Sequence, residues 1–80
     1  MSPRLPRVSG KDMIDFLRVK GFDVRRIRGS HHVLKNNEGK ITVVPVHKGE
    51  KLGPGLIKEI LLQCEITVDE YMKYFQNKLF

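Results

Sequence analysis

The chain has 80 residues, and its 15 lysines and arginines against 9 acidic residues leave a net charge of +6. That length predicts one domain with a core too small for a large buried pocket, and the charge favours an anionic partner, nucleic acid ahead of a membrane surface. A single cysteine excludes an internal disulfide. No apolar run approaches the ~20 residues of a membrane span and the N-terminus has no signal-peptide core, so the cytoplasm is the expected compartment.

Residues 1–8 carry Pro3 and Pro6 with Arg4 and Arg7, which predicts an extended basic arm, in its plainest form a frayed terminus. Ser9 followed by Asp12 resembles a capping box. Met13, Ile14, Phe16 and Leu17 then supply an apolar arc and Gly21 a stop, so a first helix is expected over residues 10–20. Residues 23–28 alternate imperfectly and predict a first strand, residues 31–35 a second. Between the second and third strands, Asn36-Asn37-Glu38-Gly39 is a hairpin turn by composition. Residues 40–46 are β-branched through most of their length and predict a third strand, with Pro45 at its end or on an edge. Pro54 suits the first turn of a second helix, in which Ile57, Ile60, Leu61 and Cys64 form one apolar stripe. There Cys64 is expected to act as a small buried hydrophobe. Thr67 with Glu70 repeats the capping-box pattern and opens a last helix with Val68, Tyr71, Met72, Phe75 and Leu79 on its apolar face. The predicted class is α+β, a three-stranded antiparallel sheet with helices on one face in the order α-β-β-β-α-α, in a single domain spanning 1–80.

Chemistry concentrates in Arg25-Arg26-Ile27-Arg28-Gly29-Ser30-His31-His32-Val33-Leu34-Lys35. Histidine exchanges a proton near neutral pH, and neighbouring cations can hold a polyanion and stabilise developing charge. On a strand, His31 and His32 point to opposite faces unless a bulge intervenes, so one can act on a substrate while the other plays a structural role. His31, His32 and His47 could be imagined as metal ligands. Adjacent strand histidines splay apart, however, and the chain has no cysteine cluster or HExxH helix, so no metal is expected. Ser30 lacks a sequence-positioned residue to orient a histidine base for it. The glycine-rich loop around Gly53 lacks phosphate-loop spacing. Lys20, Lys58, Lys73 and Lys78 fit solvated helix faces, and Tyr71, Tyr74 and Phe75 fit core positions.

Four stretches carry a family resemblance: Leu5-Pro6-Arg7-Val8-Ser9-Gly10-Lys11, Gly29-Ser30-His31-His32, Thr42-Val43-Val44-Pro45-Val46-His47, and the run from Glu50-Lys51-Leu52-Gly53-Pro54-Gly55 to Leu61. Together they resemble the HicA family, small toxins of toxin–antitoxin pairs. The resemblance implies a fold like a double-stranded-RNA-binding domain, cleavage of mRNA, and a HicB-like antitoxin as protein partner, with no cofactor. It places the catalytic histidine directly after the Gly-Ser pair, at His31, with His32 as the alternative, and gives Gly29 and Ser30 the shaping of the site. The implied reaction is attack of a ribose 2′-OH on the adjacent phosphate, with Arg28, Lys35 and Lys40 stabilising charge. His47, Lys48 or water would protonate the leaving oxygen, and Arg25, Arg26, Arg28, Lys35, Lys40, His47 and Lys48 would contact RNA. A non-catalytic RNA-binding module and a purely protein-binding domain remain alternatives on the same residues.

Overall fold

The computed structural model describes residues 5–79, with side chains described through residue 76; Arg4 and the residues before it lie outside. Three helices and three strands follow one another as α1 (Gly10–Val19), β1 (Asp23–Arg28), β2 (His31–Lys35), β3 (Ile41–Pro45), α2 (Pro54–Cys64) and α3 (Val68–Leu79). This is the expected α+β arrangement. The helix boundaries follow local chemistry. The Ser9 side chain accepts from the Asp12 N–H, satisfying an amide that has no partner within the helix. Lys20 caps the other end, one residue inside the expected limit, and Gly21 takes the positive φ of 96° that ends a helix in this way. At α3 the capping box closes in both directions, with the Glu70 N–H donating to Thr67 Oγ1 and the Thr67 N–H to Glu70 Oε2.

The sheet is antiparallel in the order β1-β2-β3. β3 is one residue shorter at each end than its composition predicted, because Lys40 turns its N–H onto Asn36 Oδ1 and Val46 leaves the strand after one bond to the Ser30 carbonyl. β1 contains a bulge: Val24 faces Leu34, Arg26 faces Val33, and Arg25 is the extra residue. That extra residue accounts for the imperfect alternation of the strand, since Val24 and Ile27 then share a face although they stand three residues apart.

Helix α1 contributes Met13, Phe16 and Leu17 to the core, α2 contributes Ile57, Ile60 and Leu61, and the sheet contributes Leu34 and Val44. Phe16 lies at the centre of an aromatic cluster with Tyr71, Tyr74 and Phe75 of α3, at ring separations of 5.0–5.7 Å, distances at which offset and edge-on contacts are favourable. Thr42 is the one buried polar side chain among the described residues, and its hydroxyl donates to Gln63 Oε1 at 2.7 Å. Cys64 is buried as expected, and that burial pushes its thiol pKa up to about 11.

The described part of the N-terminal arm, Leu5 to Val8, is tied to the body. Arg7 donates through Nε to the Leu52 carbonyl at 3.0 Å, the Val8 carbonyl accepts from the Leu52 N–H at 2.8 Å, and the Tyr71 hydroxyl donates to the Pro6 carbonyl. Arg7 thus holds the chain's own backbone. Just beyond it, Gly10 packs so closely on the end of β3 that a Cβ there would lie 2.2 Å from the Pro45 carbonyl oxygen. This contact fixes α1 against the strand that borders the candidate site.

Candidate active site

Gly29 and Ser30 join β1 to β2 in a two-residue turn closed by the pair Arg28–His31. Gly29 has φ of 56° with open space around it, so glycine is needed for the backbone angle and not for room. Gly at the first central position matches a II′ hairpin turn, whose twist suits the flanking strands. The Ser30 carbonyl accepts the Val46 N–H at 2.7 Å and also lies 3.3 Å from His32 Nδ1. Two elements therefore converge on the peptide that precedes His31, and a protonated Nδ1 completes the second bond.

Because the bulge is on β1, β2 alternates without interruption and the two histidines part. The open sheet face carries three cross-strand rows. Arg28, His31 and Pro45 form the first, Arg26, Val33 and Val43 the second, and Asp23, Lys35 and Ile41 the third. His31 is exposed beside Arg28, with Arg26 one row away. Arg26, Arg28 and Lys35 are exposed, and among the described residues none of them enters an ion pair. Their charge is available to an anion, with the aliphatic patch of Val33, Val43 and Ile41 between and beside them. Ile41 is 51% and Val43 39% exposed, so β3 presents aliphatic side chains on the open face as well as Val44 on the buried one.

His32 belongs to the other face, between Ile27 and Val44 and half-buried. It opens onto a cleft of about 360 Å³ between α1 and the sheet, together with Lys11, Ile14, Asp15, Arg18, Val24, Ile27 and Val46. No motif in the sequence marks Asp15 or Arg18 as a site residue, and Lys11 figures only in the stretch that resembles the family. Their spacing, Lys11, Asp15 and Arg18 at i, i+4 and i+7, is the signal that places them on one side of the helix.

The remaining expected residues separate. Arg25 is the bulged residue, exposed but out of register with the rows. Lys40 has acidic neighbours: its ammonium lies 3.2 Å from Glu38 and 3.2 Å from Glu65, and hydrogen bonding first to Glu65 and then to Glu38 pushes its pKa upward. It joins the hairpin to the end of α2, away from the row that holds His31. His47 and Lys48 are exposed in the loop after β3. That loop begins at Val46, whose N–H is held by Ser30, so it leaves the sheet at the end where His31 lies. Among the described residues, no three His, Cys, Asp or Glu side chains come together as a metal site.

A family model for the HicA toxin of bacterial toxin–antitoxin systems matches residues 10–66. The chain belongs to the HicA toxin family. The match runs from Gly10 through α1, the whole sheet and α2, and so contains both histidines and the cleft behind them; α3 lies beyond it. As a HicA toxin, the protein is one half of a toxin–antitoxin pair, with an antitoxin as its counterpart. No curated protein matches the chain. No helix among the described residues is long and apolar enough to cross a membrane.

Proposed function

We propose that this HicA toxin is an endoribonuclease that cleaves mRNA without a metal ion, with His31 as general base. The observation that carries the proposal is the placement of an exposed His31 next to Arg28 and one row from Arg26, two arginines that enter no ion pair among the described residues. His31 withdraws the proton from a ribose 2′-OH. The 2′-oxygen forms a bond to the adjacent phosphorus, the bond from phosphorus to the 5′-oxygen breaks, and that oxygen takes a proton from water or from His47. Arg28 and Arg26 stabilise the charge that accumulates on the phosphoryl oxygens, the step at which fixed cations contribute most. Lys35, farther along β2, holds the continuing backbone. The products are a 2′,3′-cyclic phosphate and a free 5′-OH. A HicB-like antitoxin would silence the enzyme by covering the same face, where the exposed Val43 and Ile41 offer apolar area beside the cations.

The test is incubation of the purified protein with end-labelled mRNA in EDTA, in parallel with His31→Ala and His32→Ala, each variant checked for a native melt. The expected result is cutting by wild type and by His32→Ala, loss with His31→Ala, and cyclic-phosphate ends. Ends carrying 3′-OH would rule out the route through the 2′-oxygen, and cutting that survives in both variants would exclude the histidines as base. RNA binding without cutting would leave the protein a non-catalytic RNA-binding module.

A further inference from the structure

We propose that the cleft behind His32 is a second nucleotide subsite, which takes one unstacked base of the RNA, selects bases that carry an amino group, and holds the adjoining phosphate. The inference rests on RNA being the ligand of this protein, but not on cleavage.

Three observations carry it. The first is an unused set of opposite charges. Lys11, Asp15 and Arg18 stand on one side of α1 and line one cleft, yet none of them enters an ion pair among the described residues. On α3 the comparable pair Asp69 and Lys73 does close, at 3.4 Å. The lysine of α1 precedes its aspartate, which is the weaker orientation for an i,i+4 pair, so both charges stay available to a ligand. The second is the strand-side wall. Val24 and Ile27 come to the same face through the β1 bulge, and Ile27 is 58% exposed although it faces the helix side. An exposed branched side chain lining a charged cleft suits the flat face of a base. The third is His32, whose Nδ1 is directed to the Ser30 carbonyl at 3.3 Å. Its imidazole is held by the turn that carries His31, and it borders the cleft.

The chemistry of these groups specifies the ligand. A carboxylate only accepts hydrogen bonds, so Asp15 pairs with the amino-bearing edges of guanine, adenine or cytosine, whereas uracil offers it a single ring N3–H flanked by two carbonyl oxygens that repel the carboxylate. Arginine and histidine planes stack on unpaired bases, a role open to Arg18 and His32. Lys11 supplies a point charge for phosphate. The cleft volume of about 360 Å³ is at the lower end for small-ligand sites and fits one nucleotide unit. The site adjoins the candidate catalytic face through the Gly29-Ser30 turn, so a strand with one base in the cleft presents its neighbours to His31.

Mononucleotides test this directly, because they bind without being cut. Backbone amide spectra of the full chain are recorded while 5′-GMP, 5′-CMP, 5′-AMP and 5′-UMP are added in turn. The expected result is saturable shifts at Ile14, Asp15, Val24, Ile27 and His32, with the amino-bearing nucleotides bound roughly tenfold more tightly than UMP, the discrimination a good polar pair gives. Asp15→Asn, which can donate as well as accept, should bring UMP level with the others, and Arg18→Ala should weaken all four together. Equal affinity for all four nucleotides, shifts confined to His31 and Arg28, or no shifts would overturn the proposal. So would an acidic peptide that fills the cleft when nucleotides do not, since the occupant would then be a protein. Cleavage of mRNA with a base preference unchanged by Asp15→Asn would refute the subsite alone, whereas selective nucleotide binding without any cleavage would refute the nuclease alone.

Discussion

Substitution of Gly10 by alanine and of Gly55 by alanine should move stability in opposite directions, although both glycines lie in the first turn of a helix. At Gly10 the added Cβ would sit 2.2 Å from the Pro45 carbonyl oxygen and 3.1 Å from Val46 Cα, all backbone atoms of the strand exit. A carbon and an oxygen need more than 3 Å, so α1 and β3 must separate by about 1 Å, and overpacking of this kind costs roughly 1–3 kcal/mol. Alanine's helix propensity returns at most about 1 kcal/mol in a helix interior, and less at the first position, so the steric term wins. For a domain of this size the net loss lowers the melting temperature by roughly 5–15 °C. Gly55 has open space around it and an ordinary φ, so alanine there should raise stability by about 0.4–1 kcal/mol through the unfolded chain. Thermal melts by circular dichroism of the two variants beside wild type make the assay. A Gly10→Ala protein that melts at or above wild type would show that the helix does not approach the strand this closely. Because Pro45 is the cross-strand partner of His31, Gly10→Ala should also slow the proposed cleavage of mRNA at temperatures where the protein is fully folded.

Gly29→Ala should cost about 1–2 kcal/mol, because a side chain must then adopt the φ of 56°; chemical denaturation checks it, and an unchanged midpoint would contradict the turn. Hydrogen bonding from the Thr67 N–H, then from the Lys20 ammonium and the Thr67 hydroxyl, holds the Glu70 carboxyl below its ordinary 4.5. Its contribution is present above that pH and disappears as pH falls through the depressed value, so Glu70→Gln should flatten the acid limb of melting temperature against pH and leave the neutral limb parallel to wild type. The Cys64 thiol, buried and with a pKa near 11, should resist alkylation at pH 8 in the folded protein and react at the rate of global opening, with mass spectrometry as the readout; fast labelling of native protein would refute its burial.

Elements with a strong local cause were readable in the sequence. The Ser9 and Thr67 caps, the Gly21 stop, the Asn36–Gly39 turn and the apolar stripe ending at Cys64 each act within one or two turns of chain, and each forms where its chemistry indicated. What the sequence left open depends on partners distant along the chain. Lys40 reads as a free cation until Glu65, twenty-five residues on, is seen to meet it. Arg7 reads as part of a frayed basic arm until its guanidinium is found on the carbonyls of Lys51 and Leu52. Alternation alone would assign Ile27 to the same face as Asp23 and Arg25, and only the bulge brings it round to Val24. The cleft on α1 is not legible in sequence for a similar reason, since its second wall lies on β1 and β2.

The tandem histidines bear on how firmly this hairpin is locked. A slip of β2 by one residue would turn His32 outward and His31 inward, so the open face would still present an imidazole. The same slip would expose Leu34 and drive Lys35 beneath the helices, where an unpaired ammonium is heavily penalised. The correct frame is therefore guarded by Leu34 and Lys35 at the far end of the strand and by the short Gly29-Ser30 connection at the near one. The histidines, being alike, exert no pull on the frame, although it decides which of them meets the solvent.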